Sequence, residues 1–396
     1  MKHGEYTTVK PGTAVTRKIL DNLGSPDDAL KIIHIAGTNG KGSTAEFFTQ
    51  ILICAGKRVG TFTSPAVYDF YDQFRIDGQP LQKEVMEGYI QRAANASEGL
   101  QPTDFEIQTA GVLLAFKEEG CEYAVVECGM GGLNDATNAI NKKSLAVITS
   151  ISLEHTEYLG DTVEQICYQK AGIIKNCPVV VNDLQPSEAA KAYFKRLGCY
   201  FANRITYAGD EFWYCDRQYR LSALGHCQVY NAATAIEGAR MLGIGEEAIY
   251  EGVRRTEPRG RLEIVNARGR RYVLDGAHNP QAFEPLKQLL CGGQFGVSAV
   301  DSNEVTIVFG SLKDKDIEGN LERLAGLADG VIAVVCPSVR AMNGKQTVNA
   351  CKKYFDKVSF AESVSDALNR AYTKTVVVCG SFTLLKEARE WIEKGQ

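Results

Sequence analysis

The sequence predicts an α/β protein of two domains, each built on a mostly parallel sheet with helices on both faces. Three observations predict it. Short β-branched runs alternate with segments whose apolar residues recur at spacings of three and four. The alternation falls into two sets, separated by a stretch rich in Arg, Gly and Pro. At 396 residues the chain is long enough for two or three separate cores.

In the first set, strands are expected at 32–36, 58–63, 123–128, 145–151 and 179–182. A helix should follow the first strand in "STAEFFTQILICAG", and others should cover 105–119 and 231–242. Residues 199–223 break this rhythm. They are aromatic and alternating, and read as a small antiparallel ribbon closing the first domain. The stretch "RRTEPRGRLEIVNARGRRYVLDGAHN" then places a linker near Pro258, giving a first domain of residues 1–257 and a smaller second one of 258–396. Strands at 272–275, 305–309, 331–336, 358–360 and 376–379 form the second set.

The net charge is −4 and no long basic run occurs, so no nucleic-acid partner is expected. "MKHGEYTTVKPGT" lacks the apolar core of a signal peptide and no stretch is apolar for long enough to span a bilayer. A cytoplasmic protein without membrane attachment is expected. The 12 cysteines are scattered with no C-x-x-C pair; Cys54, Cys336 and Cys379 sit in apolar runs and read as buried, reduced thiols.

The chemistry starts at "HIAGTNGKGSTAEFF". A strict G-x-x-x-x-G-K-[ST] loop would need Gly at Ile35 and a hydroxyl at Gly42, yet strand, glycine turn, lysine, hydroxyl and helix come in the right order. Backbone N–H groups of Gly37, Thr38, Asn39, Gly40 and Gly42 would face an anion at a helix start, Lys41 adds positive charge, and Ser43 or Thr44 offers a hydroxyl. The bland alternative is a tight strand-to-helix turn with an exposed lysine.

Ligands in open α/β sheets sit at the carboxyl ends of strands. Those ends here carry Ser64 in "TFTSPAVYDF", Glu127 in "EYAVVECGMGG", and Glu154 and His155 in "LAVITSISLEHTEYLGD"; Lys170 follows one helix later. Singly, each has a structural explanation: a salt-bridged acid, a core histidine, a solvated lysine. Jointly they read as a nucleoside triphosphate site with Mg²⁺. In the second domain Asp275, His278 and Asn279 end a strand, with Arg261 upstream. They are either turn residues, with Asp275 capping the next helix, or the far wall of an interdomain cleft.

"GTNGKGS", "TSP", "ECGMGGLNDATN", "ITSISLEHTEYLGDTVEQICYQKAGIIK", "NAATA", "GRLE", "DGAHNP", "DKD" and "GSF" occur in the order and approximate spacing of the folylpolyglutamate synthase and dihydrofolate synthase family, within the Mur ligase superfamily. The resemblance covers nearly the whole chain, and that family's own loop reads G-T-N-G-K-G-S. It implies an N-terminal P-loop-type ATPase domain with a parallel sheet and a smaller Rossmann-like C-terminal domain. By the same resemblance, Lys41 and Ser43 would hold ATP phosphates, and Ser64 and Glu127 a first Mg²⁺. Glu127, His155 and a carbamoylated Lys170 would serve a second Mg²⁺; Asn231 would lie near adenine, with Arg261, Asp275 and His278 reaching the nucleotide.

The implied reaction adds L-glutamate to the γ-carboxylate of a reduced folate at the expense of ATP, through an acyl phosphate. The implied partners are ATP, reduced folate and L-glutamate, and the implied state is a monomer. A bifunctional enzyme that also joins dihydropteroate to glutamate is the alternative, as is a ligase acting on another carboxylate. Departures from the family pattern at Ala66, Asp72 to Phe74, Leu133, Asn134, Cys227 and Pro258 cluster where the family handles the pterin or supports the nucleotide. A nucleotide-dependent switch is the rival of another class, but its N-K-x-D signal is missing, since "NKKS" ends in serine.

Overall fold

The structure, a computed structural model, describes residues 12–208, 211–292 and 302–394. The leader reading of the N-terminus therefore falls largely on residues outside this range, as do residues 209–210 of the expected ribbon. The chain divides into two compact units. The described residues of the first fall within 1–66, 70–222 and 227–257, and those of the second within 67–69, 223–226 and 258–396.

In the first unit the strands are β1 (Lys31–Ala36), β2 (Val59–Phe62), β3 (Phe74–Ile76), β4 (Gln79–Pro80), β5 (Tyr123–Glu127), β6 (Leu145–Ile148), β7 (Val179–Asn182) and β8 (Tyr200–Ala202). They form one sheet in the order β4-β3-β2-β5-β1-β6-β7-β8, parallel except at the β2-β3 and β3-β4 pairs. β1 is central and buried along all but its first residue, as its unbroken apolar run requires in a sheet covered on both faces. Its neighbours bring Ile35 opposite Glu127 and Ala36 opposite Ile148. This register sets the first turn after β1 beside the ends of β5 and β6.

Two expectations shift here. β6 stops at Ile148, three residues before the anticipated end. The antiparallel ribbon begins later than Cys199: Tyr200–Ala202 joins the main sheet parallel to β7, and β9 (Ile205–Ala208), β10 (Glu211–Tyr214) and β11 (Arg217–Arg220) alone make the three-stranded ribbon.

The second unit holds β12 (Glu263–Ala267), β13 (Arg270–Leu274), β14 (Val305–Phe309), β15 (Gly330–Ala333), β16 (Val358–Phe360) and β17 (Thr375–Cys379), ordered β12-β13-β17-β14-β15-β16. All pairs are parallel except β12-β13. Alternate residues of β14 and β17 face two separate cores, Val308 and Val378 on one side and Ile307 and Val377 on the other. Val67 and Tyr68 pack on the first of these cores, and the Tyr68 hydroxyl donates to Glu263.

The 12 cysteines are thiols, none of them in a disulfide. Cys336 and Cys379 are buried as expected, but Cys54 is only half-buried, because it is the last residue of its helix, and Cys291 is exposed. Among the described residues, no helix is long and apolar enough to cross a membrane.

Candidate active site

The helix Lys41–Cys54 begins directly after the glycine turn, with Gly40 as its N-cap at φ 90°. A Cβ at Gly40 would lie 2.6 Å from Asn231 Oδ1, and one at Gly37 would lie 1.8 Å from Thr149 Oγ1. Both positions therefore need glycine for space, and Gly40 also for its left-handed backbone. The turn is fastened to the segment following β6. Thr38 N–H donates to Ser150 O (2.8 Å) and its hydroxyl to Ser152 O (3.0 Å), while Asn39 N–H also donates to Ser150 O (3.2 Å). That fastening is why β6 ends early: Thr149 N–H still donates to Ala36 O, but the carbonyls of Ser150 and Ser152 leave the ladder to hold the turn.

Lys41 Nζ donates to the carbonyls of Gly37 and Thr38, both at 3.1 Å, and lies 3.9 Å from Glu127 Oε1. Glu127 is buried at the end of β5, and its Oε2 accepts the N–H of Ser64 at 3.3 Å. The structure thus brings together Lys41, Ser64 and Glu127, three residues far apart in sequence. Ser43 is buried and its Oγ receives the Gln228 amide at 3.3 Å, whereas the Thr44 hydroxyl is buried in the helix packing. Of the two candidate hydroxyls, Ser43 is the one tied into the polar side of the turn.

His155 stands seven residues beyond β6, not at its end, as the N-cap of the short helix Thr156–Leu159 at φ 50°, with Nε2 3.8 Å from Glu154 Oε1. Lys170 lies in the helix Val163–Ala171, whose start is a capping box between Thr162 and Gln165. Its Nζ is buried and donates to Gly37 O at 2.7 Å, the same carbonyl that Lys41 uses. Burial is the main reason its pKa falls to about 8; the neighbouring Lys41 charge lowers it further, and Glu154 opposes.

Sequence reasoning missed Gln228 and Asn182, both buried amides of this cluster. The "Q" three residues before Asn231 was on view, but nothing local distinguishes it from any other helical glutamine.

In the second unit, Asp275 follows β13 and is buried. Burial raises its pKa to about 6, against Arg261 and the N–H groups of Ala277 and Leu262, which lower it. Asp275 does not cap the following helix. It closes a tight turn by accepting Ala277 N–H at 2.8 Å, and Asn279 Oδ1 accepts Ala282 N–H at 2.9 Å at the start of helix Pro280–Gly292. The His278 ring is oriented by Gly276 O at 2.8 Å, and the Arg261 guanidinium stacks on Phe382 with 4.4 Å to the ring centroid.

The Mur ligase middle domain matches residues 35–239, and the Mur ligase glutamate ligase domain matches 260–382. A dihydrofolate synthase/folylpolyglutamate synthase of Bacillus subtilis is 32% identical, over 96% of this chain and 95% of its own. The chain belongs to the folylpolyglutamate synthase/dihydrofolate synthase family of Mur ligases. Among solved relatives of this Mur ligase, E. coli FolC in complex with DHPP and ADP superposes with a TM-score of 0.87 at 28% identity, covering 98% of this chain and 95% of that one. A bifunctional folylpolyglutamate synthase/dihydrofolate synthase with Mn, AMPPNP and L-glutamate bound gives 0.84 at 27%, over 98% and 95%. The Mur ligase middle-domain match spans the turn, Glu127, His155, Lys170 and Asn231; the glutamate ligase match spans Arg261, Asp275 and His278.

Proposed function

We propose that the chain is an ATP-dependent acid–amino-acid ligase that extends a reduced folate by L-glutamate at the γ-carboxylate. The observation that carries this reading is the meeting of a glycine turn at a helix start, Lys41 and the buried Glu127 at the ends of β1 and β5, in a chain of this family. A carboxylate is a poor electrophile. Phosphorylation by ATP makes it an acyl phosphate, and the amine of glutamate then displaces phosphate.

In that scheme the N–H groups of Gly40 to Ser43 and the ammonium of Lys41 hold the ATP phosphates and neutralise charge on the phosphoryl group in transit, while those of Thr38 and Asn39, which donate to Ser150 O, hold the shape of the turn. Thr44 would contribute by packing the helix that aims these groups. Asn231 sits against the turn and would lie near the adenine, and Arg261, Asp275 and His278 would supply the second domain's contacts to the nucleotide. The domains are taken as 1–257 and 258–396.

The donors suit Mg²⁺. Glu127 offers one buried carboxylate and Ser64 a hydroxyl, both hard oxygens, and Mg²⁺ is bound through one or two carboxylates with phosphates and water completing its shell. Among the described residues, no three His, Cys, Asp or Glu side chains converge on a metal-sized space, so a closed all-protein cage is not the arrangement here. When bound, Mg²⁺ would screen phosphate charge; a second ion would be served by Glu127, His155 and Lys170 as a carbamate. A monomeric, cytoplasmic enzyme completes the proposal.

Phosphate release from ATP in the presence of L-glutamate, measured with tetrahydrofolate and with dihydropteroate in turn, tests it. Glutamate-dependent release with the reduced folate is expected. Release with dihydropteroate as well would establish the bifunctional reading that many relatives' names carry, and release with neither would sink the folate assignment.

A further inference from the structure

Four buried side chains form a relay that ends on the phosphate turn. Asn182 Nδ2 lies 3.1 Å from Asn231 Oδ1, Asn231 Nδ2 lies 3.0 Å from Gln228 Oε1, and Gln228 Nε2 lies 3.3 Å from Ser43 Oγ. None of the four residues is more than 4% exposed. Amide groups can be turned end for end, so a chain of amides could run in either direction. Here one backbone group decides. Leu184 N–H, which can only donate, points at Asn182 Oδ1 at 2.8 Å. With its oxygen so engaged, Asn182 presents NH₂ to Asn231, which must answer with oxygen. Asn231 then presents NH₂ to Gln228, and Gln228 must present NH₂ to Ser43.

We infer that Asn182 is a positioning residue that fixes the polarity of this relay, so that Ser43 Oγ is always an acceptor from Gln228 and its own proton is left to donate to a phosphate oxygen. The inference rests on the proposed role of the turn in binding ATP. It adds a reason for three amides the family assignment does not use together: they keep the serine proton pointed outward. Reversed, the relay would draw that proton inward to Gln228 Oε1, and Ser43 would meet an anion with lone pairs only.

Asn182→Asp reverses the relay with almost no change of shape, since an ionised carboxylate still accepts Leu184 N–H but can no longer donate to Asn231. ATP affinity is to be measured at pH 8 with EDTA, so that no metal contributes, for the wild type, Asn182→Asp, Ser43→Ala and the double variant. Each single substitution is expected to weaken ATP by about tenfold, the loss of one hydrogen bond to a charged acceptor. The double variant should be no weaker than Ser43→Ala alone.

Wild-type affinity in Asn182→Asp, or its full loss repeated on the Ser43→Ala background, would overturn the inference. A wild type that does not bind ATP would instead overturn the reading of the turn. The polarity itself can be read without any variant, by cross-relaxation in the folded wild type between the Gln228 side-chain amide protons and the Ser43 Hβ protons. That signal is expected; finding those amide protons against Asn231 instead would overturn the relay even if Asn182→Asp fails to fold.

Discussion

Lys170 offers the sharpest prediction. As an ammonium it would be a buried cation whose hydrogen-bond acceptor is the Gly37 carbonyl, shared with a second lysine. Its pKa of about 8 is the consequence. Near pH 7.4 such an amine is neutral about one time in five, against roughly one in a thousand for an ordinary lysine, so the fraction able to attack CO₂ is about two hundred times larger. The neutral nitrogen would bond to the carbon of CO₂, one proton would leave to water, and the product would be an anion beside Lys41 in place of a repelled cation. Labelled bicarbonate should give a ¹³C carbamate signal in the wild type that is absent in Lys170→Ala and declines about tenfold per pH unit below 8. Lys170→Ala should lose most turnover and regain part of it with acetate, while Lys170→Arg should not be rescued. Full activity in Lys170→Arg, or no ¹³C adduct at saturating bicarbonate, would refute the reasoning.

Other outcomes are expected elsewhere. Lys41→Met should lower kcat/KM by about a hundredfold or more, because its ammonium is the positive side chain at the turn 3.9 Å from Glu127; steady-state kinetics would check this. Glu127→Gln should raise the divalent-ion concentration needed for half-maximal turnover, and an unchanged metal dependence would remove Glu127 from the metal site. Gly40→Ala combines φ 90° with a 2.6 Å approach to Asn231, so a loss of about 1–3 kcal/mol in thermal unfolding, with weaker ATP binding, is expected. Asp275→Asn should be more stable than the wild type at neutral pH. The folded pKa of about 6 lies above the ordinary 3.8, so the native state holds the extra proton and stability falls as pH rises through that window, by at most about 3 kcal/mol. The advantage of Asp275→Asn should therefore vanish near pH 4, and an advantage independent of pH would count against it.

The alternation of strands and helices was legible because parallel strands covered on both faces read as unbroken apolar runs; β7 and β14 have the bounds their composition marks. Long-range use of backbone was not. The residues after Ile148 still include β-branched Thr149 and Ile151, but the carbonyls of Ser150 and Ser152 go to Thr38 and Asn39 in place of a neighbouring strand. Site residues stood out where they ended a strand, as Glu127 does. Gln228 and Asn182 did not, since a buried amide relay spanning 185 residues of sequence between Gln228 and Ser43 leaves no periodic trace. Asp275 was the expected cap of the following helix, and only the hydrogen bonds show that it closes a turn while Asn279 accepts Ala282 N–H at the helix start.

The second unit borrows Val67–Asp69 from the middle of the first unit's chain, and Ala223–His226 as well. Tyr68 donates to Glu263, Asp69 pairs with Lys386, and a Cβ at Gly260 would strike Val67 at 2.7 Å. On the ribosome, Val67 and Tyr68 emerge about 190 residues before the glycine and glutamate they will meet, so they spend most of synthesis without a surface to cover them. A gene cut at Pro258 would leave both products unfinished: a leading fragment with a bare apolar tab, and a trailing fragment with an unfilled notch. Supplying the two fragments together, or splicing residues 67–69 onto the trailing one, is the way such a dissection would have to be made.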